Sequence, residues 1–481
     1  MSHVLRMAIG AIGLVALGRC LTLLLGMKRD DAESWGVSVV LGILGTSWGL
    51  FLYSFVGGTL GAVVSWGLTI FSITLVAVDY VRKTQNRKQE VQPRPDPPSE
   101  LAVVCTWIIG VLIVGALVQS LLTPQRFWDE RAIFAIKAKV LWTEKTIHSP
   151  VLRNPDFVQY HPKYPLLIPL AEQHLYAHMG GVHDRWAKVI FPMMYAGLVL
   201  AFSGVLGRHF GRGWGALGAL LLALTPVLMP YEYGFLSGQA DAPMGCFHGM
   251  AVLYLWDLLT FRPESGMRSG LLAGLFAASA VFTKDEGIAF FMVHCAAVGL
   301  ALLLGRSQSS PRGLVSKLHV LAKPAALFLG TVSLLAGVWF LHRRTLPDTT
   351  EMSYFGRVSV SLLIERLPTL GWSIPHLLSR MLWEWRTWGI QWWLVLAALV
   401  TEFRKCLQTS QQFLLWNLLG TVAALLVAGM VAPAELEEHL GGSTHRYLIQ
   451  LVPVGILFVA SQWGPMRPAT ENVGYGTVTA E

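Results

Sequence analysis

GLLAGLFAASAVFTKDEGIAFFMVHCAAVGLALLLG, residues 270–305, decides the fold class. Two apolar runs meet at one polar interruption, Thr283-Lys284-Asp285-Glu286-Gly287. The run after it has the length of a membrane-spanning helix, which needs roughly 20 mostly apolar residues. The run before it offers only about 14, so the quintet is expected to lie recessed below the bilayer surface. Recessed non-helical backbone is tolerated where it is buried in protein or lines a wet cavity. Thr-x-x-Glu is also the pattern of a capping box, with Thr283 capping and Glu286 reaching back to hold the turn. Asp285 suits the positive end of the helix dipole, whereas Lys284 opposes it. The quintet therefore reads as cap and site together. Lys284 is expected to face an anionic ligand, with Asp285 as its resting partner.

The rest of the chain supports a membrane setting. Of 481 residues, 53% are hydrophobic and 14% charged, against about a quarter charged in soluble domains. The 18 tryptophans fit the same class, since Trp collects at membrane–water interfaces. A net charge of +8 is explained by basic cytoplasmic loops, not by nucleic acid. Cys20, Cys105, Cys246, Cys295 and Cys406 lie in or beside apolar runs without paired spacing, and read as small hydrophobes. The N-terminal apolar segment reads as an anchor, with no small-residue cleavage site standing out.

The expected fold is an all-α polytopic membrane protein of about 11–13 transmembrane helices. Residues 1–81 form three N-terminal accessory helices. Residues 82–100, "VRKTQNRKQEVQPRPDPPSE" with its first residue removed, form a basic, proline-rich cytoplasmic linker. Residues 101–463 form the main membrane module, and 464–481 a cytoplasmic tail. With the linker inside, alternation puts "GRHFGRG", "FRPESGMRSG", "GRSQSSPRGLVSKLHVLAK" and "TEFRKCLQTS" inside as well, and each is basic. The opposite face receives two long loops, 123–188 and 342–380, and shorter ones holding "YEYGFLSGQAD", "TKDEG" and "APAELEEHLGGSTHR". Polar clusters gather on that face.

Four further motifs there carry candidate chemistry. "RFWDERAIFAIKAKVLW" follows a spanning helix and places Asp129 and Glu130 together as a potential general base or metal ligand, or as dipole-complementing helix starters. Its Lys137 and Lys139 mark an interfacial helix. "YHPKYPLL" sets His161, Lys163 and Tyr164 in a turn stiffened by Pro162 and Pro165. "SGQADAP" puts Asp241 at a helix start, where Asp caps and Pro is tolerated. "STHRYLIQLVP" puts His445 and Arg446 at the outer mouth of the last span, against the positive-inside trend. A guanidinium there suits phosphate, or snorkels to headgroups.

In this order and on one face, "WDE", "HPKYPLL", "ADAP", "TKDEG" and "HRYLIQLVP" resemble the GT-C class of integral-membrane glycosyltransferases. The likeness is to the bacterial branch of protein O-mannosyltransferases and lipid A aminoarabinose transferases, over about residues 101–463. The compact His-Pro-Pro element of that family is here His161-Pro162-Lys163-Tyr164-Pro165. The resemblance implies a GT-C-like fold with interfacial helices in the first long outer loop. It implies a bacterial inner-membrane enzyme whose site faces the periplasm or cell exterior. Such an enzyme moves a sugar, with inversion, from a polyprenyl-phosphate donor to a lipid, glycan or protein acceptor. Membrane lipids are the other partners, and no nucleic acid is involved.

Asp129, or Glu130 if the register shifts by one, is then the expected base. Lys284 and Arg446 stabilise the departing lipid phosphate, with Lys163 and His445 as further cations. Some members use a divalent cation, Mg²⁺ or Mn²⁺, between carboxylates and phosphate. The rival classes are a transporter or flippase of lipid-linked glycan, and a glycan polymerase or ligase. Internal repeats and mid-span charges would favour transport, and no clear repeat is present.

Overall fold

The computed structural model describes residues 2–87, 99–229, 232–260, 266–306, 314–348, 354–432 and 436–465. Most of the expected linker and tail therefore lies outside the described residues. Regular structure is helical throughout, and the only β-type contact among the described residues is an isolated bridge between Arg306 and Gln408. The chain opens with α1 (His3–Leu24), α2 (Ala32–Phe55), α3 (Ala62–Arg87) and α4 (Glu100–Leu122). Ser2, Asp31 and Ser99 cap α1, α2 and α4 by accepting a backbone N–H from the first turn. The first long loop holds a π-helical turn (Glu130–Ala135), α5 (Ile136–Glu144) and α6 (Leu167–Met179). Then come α7 (Ile190–Phe210), α8 (Arg212–Ala223), α9 (Asp241–Leu259), α10 (Gly266–Val281), α11 (Glu286–Leu304) and α12 (Leu314–Arg343). The last part carries α13 (Leu370–Trp383), α14 (Gln391–Thr401), α15 (Thr409–Val431), α16 (Leu436–Leu448) and α17 (Val452–Trp463).

Among the described residues, nine helical segments are long and apolar enough to cross a membrane, and α10 and α14 are shorter apolar helices. This is a polytopic membrane architecture. The stricter count falls below the expected range because several apolar runs are broken. α10 has 16 residues, about 24 Å of helix against a hydrocarbon core of about 30 Å. It stops at Val281, and the turn after it is enclosed: Thr283 is 1% and Lys284 6% exposed. The turn is thus buried in protein.

α1, α2 and α7 cross by backbone contact. A Cβ on Gly18 would stand 1.7 Å from the Ser38 carbonyl oxygen, and one on Gly36 2.3 Å from the Ala201 nitrogen. Small residues let helices approach this closely where lipid offers no hydrophobic drive for association. The N-terminal helices also enclose the first loop. All of α6 is buried, and Ser47 donates to the Leu167 carbonyl at 2.8 Å. Lys137 on α5 is buried too. α6 packs wholly into protein and so does the Lys137 face of α5, whereas Lys139 on α5 stays at the surface beside Asp184. Trp48 of α2 stacks on Phe282 at 4.1 Å, just before the Thr283–Gly287 turn. The first helices thus brace that turn.

The two ends of the bundle differ in chemistry. At one end, Arg208 bonds Glu33 and Asp257, and His209 and Ser269 also reach Asp257. The same end joins Arg306 to Leu407 and Lys405 to the Gln462 carbonyl. The described parts of all four basic loops meet here. The other end brings Leu60 to Lys145, Leu167 to Phe282, and the polar motifs to one another.

Candidate functional site

The π-helical turn after Phe127 and Trp128 sends two adjacent carboxylates in different directions. Glu130 folds back to accept from the backbone N–H groups of Arg126 (2.7 Å) and Phe127 (3.2 Å). Lys188 reaches it at 3.1 Å, with both side chains fully buried. Burial pushes the Glu130 carboxyl up, and Lys188 and the two N–H groups offset this only in part. Gly238, at φ +73°, lies directly against it: a Cβ there would stand 2.3 Å from Glu130 Oε1. Glu130 is an internal anchor, so the expected carboxylate pair does not form.

Asp129 turns to the bundle end instead. Arg446 Nη2 donates to Asp129 Oδ2 at 2.5 Å, and its Nε donates to Asp241 Oδ2 at 3.2 Å. Lys284 Nζ donates to Asp241 Oδ1 at 2.9 Å and pairs with Glu286 at 2.8 Å. One chain of charges, Asp129–Arg446–Asp241–Lys284–Glu286, therefore links the first loop, α9, the 282–286 turn and the last span. Asp241 forms its buried floor, at 0% side-chain exposure, while Asp129, Arg446 and Glu286 form the rim at 21–27%. Burial works against the Lys284 ammonium, but Asp241 and Glu286 outweigh it and hold its pKa above the usual lysine value.

The quintet departs from its expected roles in two ways. No capping box forms: the Thr283 hydroxyl donates back to the Ser279 carbonyl at 2.7 Å, and Glu286 is drawn to Lys284. Asp285 is not the partner of Lys284, because the Arg343 guanidinium grips both its oxygens at 2.9 and 2.7 Å. A planar fork matches a carboxylate better than an ammonium does.

The "YHPKYPLL" residues line the neighbouring wall. His161 takes the left-handed conformation at φ +53°, and its ring stacks on Tyr164 at 4.9 Å. Burial and nearby Lys137 lower the His161 pKa, opposed by Asp129. Lys163 is drawn away to Asp348 at the surface and does not join the chain of charges. His445 lies beside Trp388 (5.8 Å) and Tyr233 (6.2 Å), and meets Glu384 Oε2 at 2.5 Å. Burial would raise the Glu384 carboxyl, but bonds from His445 and Arg380 pull it below its usual value.

Sequence reasoning missed Glu384 and Arg343 and misplaced Lys137. Arg343 carried a usable signal, a basic residue at the outer end of a span, the same anomaly that marked Arg446. Glu384 lies between Trp383 and Trp385 with no spacing that marks it. Among the described residues, no three His, Cys, Asp or Glu side chains gather as a metal-holding group. Asp129 and Asp241 already share the Arg446 guanidinium, which a bridging divalent cation would have to displace. No protein-family model matches the chain, and no curated protein matches it.

Proposed function

We propose that this protein transfers a sugar from a polyprenyl-phosphate donor to an acceptor hydroxyl at the outer face of a bacterial inner membrane, with inversion. The observation that carries this reading is the chain from Asp129 to Glu286, which holds a rim carboxylate next to two cations. Asp129 takes the proton of the acceptor hydroxyl as its oxygen bonds the anomeric carbon. The bond from that carbon to the phosphate oxygen breaks at the same time, and its electron pair leaves with the lipid phosphate. Arg446 and Lys284 donate to that phosphate as its charge grows. Inversion needs base and leaving group on opposite sides of the anomeric carbon, so the sugar enters between Asp129 and Arg446 and separates the pair. His161, Tyr164 and His445 line the approach, and Glu384 orients the His445 ring.

Comparing cell-envelope glycans by mass spectrometry with and without the protein would name the sugar and acceptor. Asp129→Asn is expected to lose transfer in membranes while the protein is expressed and folded. Full activity in that variant would remove the proposed base. Movement of a labelled solute into proteoliposomes with no transfer product would support the transporter class instead.

A further inference from the structure

Lys137 is a cation at this end of the bundle whose charge is poorly answered. Its side chain is fully buried, and among the described residues it forms no ion pair. Its hydrogen bond runs to the Tyr164 carbonyl at 3.4 Å, and its Nζ lies 5.5 Å from the centre of the Tyr164 ring. An ammonium has three donors, and burying it without a counter-ion is costly. The charged and titratable groups around it are Asp285, Arg343 and His161. Asp285 is the single carboxylate among them, and both its oxygens are engaged by Arg343. Two cations thus share one anion. In the adjoining chain the balance is reversed, with Asp129, Asp241 and Glu286 set against Arg446 and Lys284. At Lys137 and Arg343 an anion entering this end meets an excess of positive charge.

We propose that Lys137 and Arg343 form an anion-binding subsite for a phosphate or carboxylate group, with Asp285 as the resident counter-ion that the ligand displaces. The guanidinium fork offers two parallel donors to such a group and the ammonium a third. Arg343 and Asp285 are 22% and 32% exposed at their side chains, so the anion reaches them from the rim and Lys137 closes the site from behind. Burial holds the Lys137 pKa well below its usual value, a cost that a bound anion would offset. The subsite stands on its own residues and does not depend on the transfer reading. If that reading holds, the subsite assigns the substrates a second anionic group besides the phosphate at Lys284 and Arg446.

The test is equilibrium binding to the full chain in lipid nanodiscs, without turnover, using inorganic phosphate, farnesyl phosphate, acetate and neutral farnesol as probes. Lys137→Met removes the charge at nearly constant shape, and is expected to weaken binding of the preferred anion by about tenfold or more. Asp285→Asn removes the competitor, and is expected to tighten the same binding. Opposite signs from two neighbouring substitutions would not arise from a shared folding defect. Preference for farnesyl phosphate over inorganic phosphate identifies a lipid headgroup. Equal binding of the two identifies a free phosphate, and acetate alone a carboxylate. If Lys137→Met does not fold, tightening or its absence in Asp285→Asn decides. No anion binding, binding indifferent to both substitutions, or weakening by both overturns the proposal. Lys137→Met and Asp285→Asn leave Asp129, Arg446 and Lys284 in place, so loss of this subsite and loss of the proposed base remain separate results.

Discussion

Asp241 is where the two cations of the chain converge. It is fully buried and holds Lys284 on one oxygen and Arg446 on the other. Removing one partner of a buried, hydrogen-bonded charge set leaves the others uncompensated, which typically costs about 3–5 kcal/mol. Asp241→Asn is expected to destabilise the protein by that order, and adding Lys284→Met should recover part of the loss. Denaturation of the purified chain in micelles measures both, and simple additivity would argue against the coupling. The sequence marked Asp241, Lys284 and Arg446 individually, because charged groups in apolar surroundings stand out. It did not mark their pairing. Lys284 and Asp285 are adjacent in the chain, yet their side chains diverge, one to α9 and the other to α12. Partners separated by 43 and 58 residues leave no local pattern to read.

At the scale of elements, the apolar runs made the helices legible, since length and hydropathy are properties of the run itself. The fate of α5 and α6 was not legible. Their lysines and prolines suggest an interface, but α1–α3 cover α6, α6 covers one face of α5, and tertiary covering leaves no mark on the covered segment. Close crossing is a further element-scale property. Gly18→Ala would drive a methyl group into the Ser38 carbonyl, and is expected to cost about 1–3 kcal/mol. Gly49 on the same helix pair faces open space, so Gly49→Ala should cost nothing and serves as the control. Thermal unfolding in detergent compares the two, and equal effects would mean that the α1–α2 crossing is looser than described.

For the whole molecule, the segregation of basic loops from the polar site end was legible, because charge asymmetry depends only on counting spans between loops. The described residues keep that segregation through direct contacts, such as Arg306 with Leu407 at one end and Asp129 with Arg446 at the other. Single cysteines replacing Glu144 and Arg404, both exposed, should react with an impermeant maleimide from opposite sides of the membrane. If the site end faces outward from a bacterial inner membrane, as proposed, Glu144→Cys is expected to label on intact cells with the outer membrane opened, and Arg404→Cys only after the inner membrane is permeabilised. Labelling of both from one side would overturn the arrangement.

The pair between Asp129 and Arg446 closes across 317 residues of sequence. During synthesis the rim carboxylate enters the membrane early, and its guanidinium arrives with the final span. A ribosome-bound or prematurely ended chain therefore has the first loop but no assembled charge relay. A chain ended anywhere before Arg446 therefore lacks the pair altogether, and under the proposed reading it is expected to show no transfer, not weakened transfer.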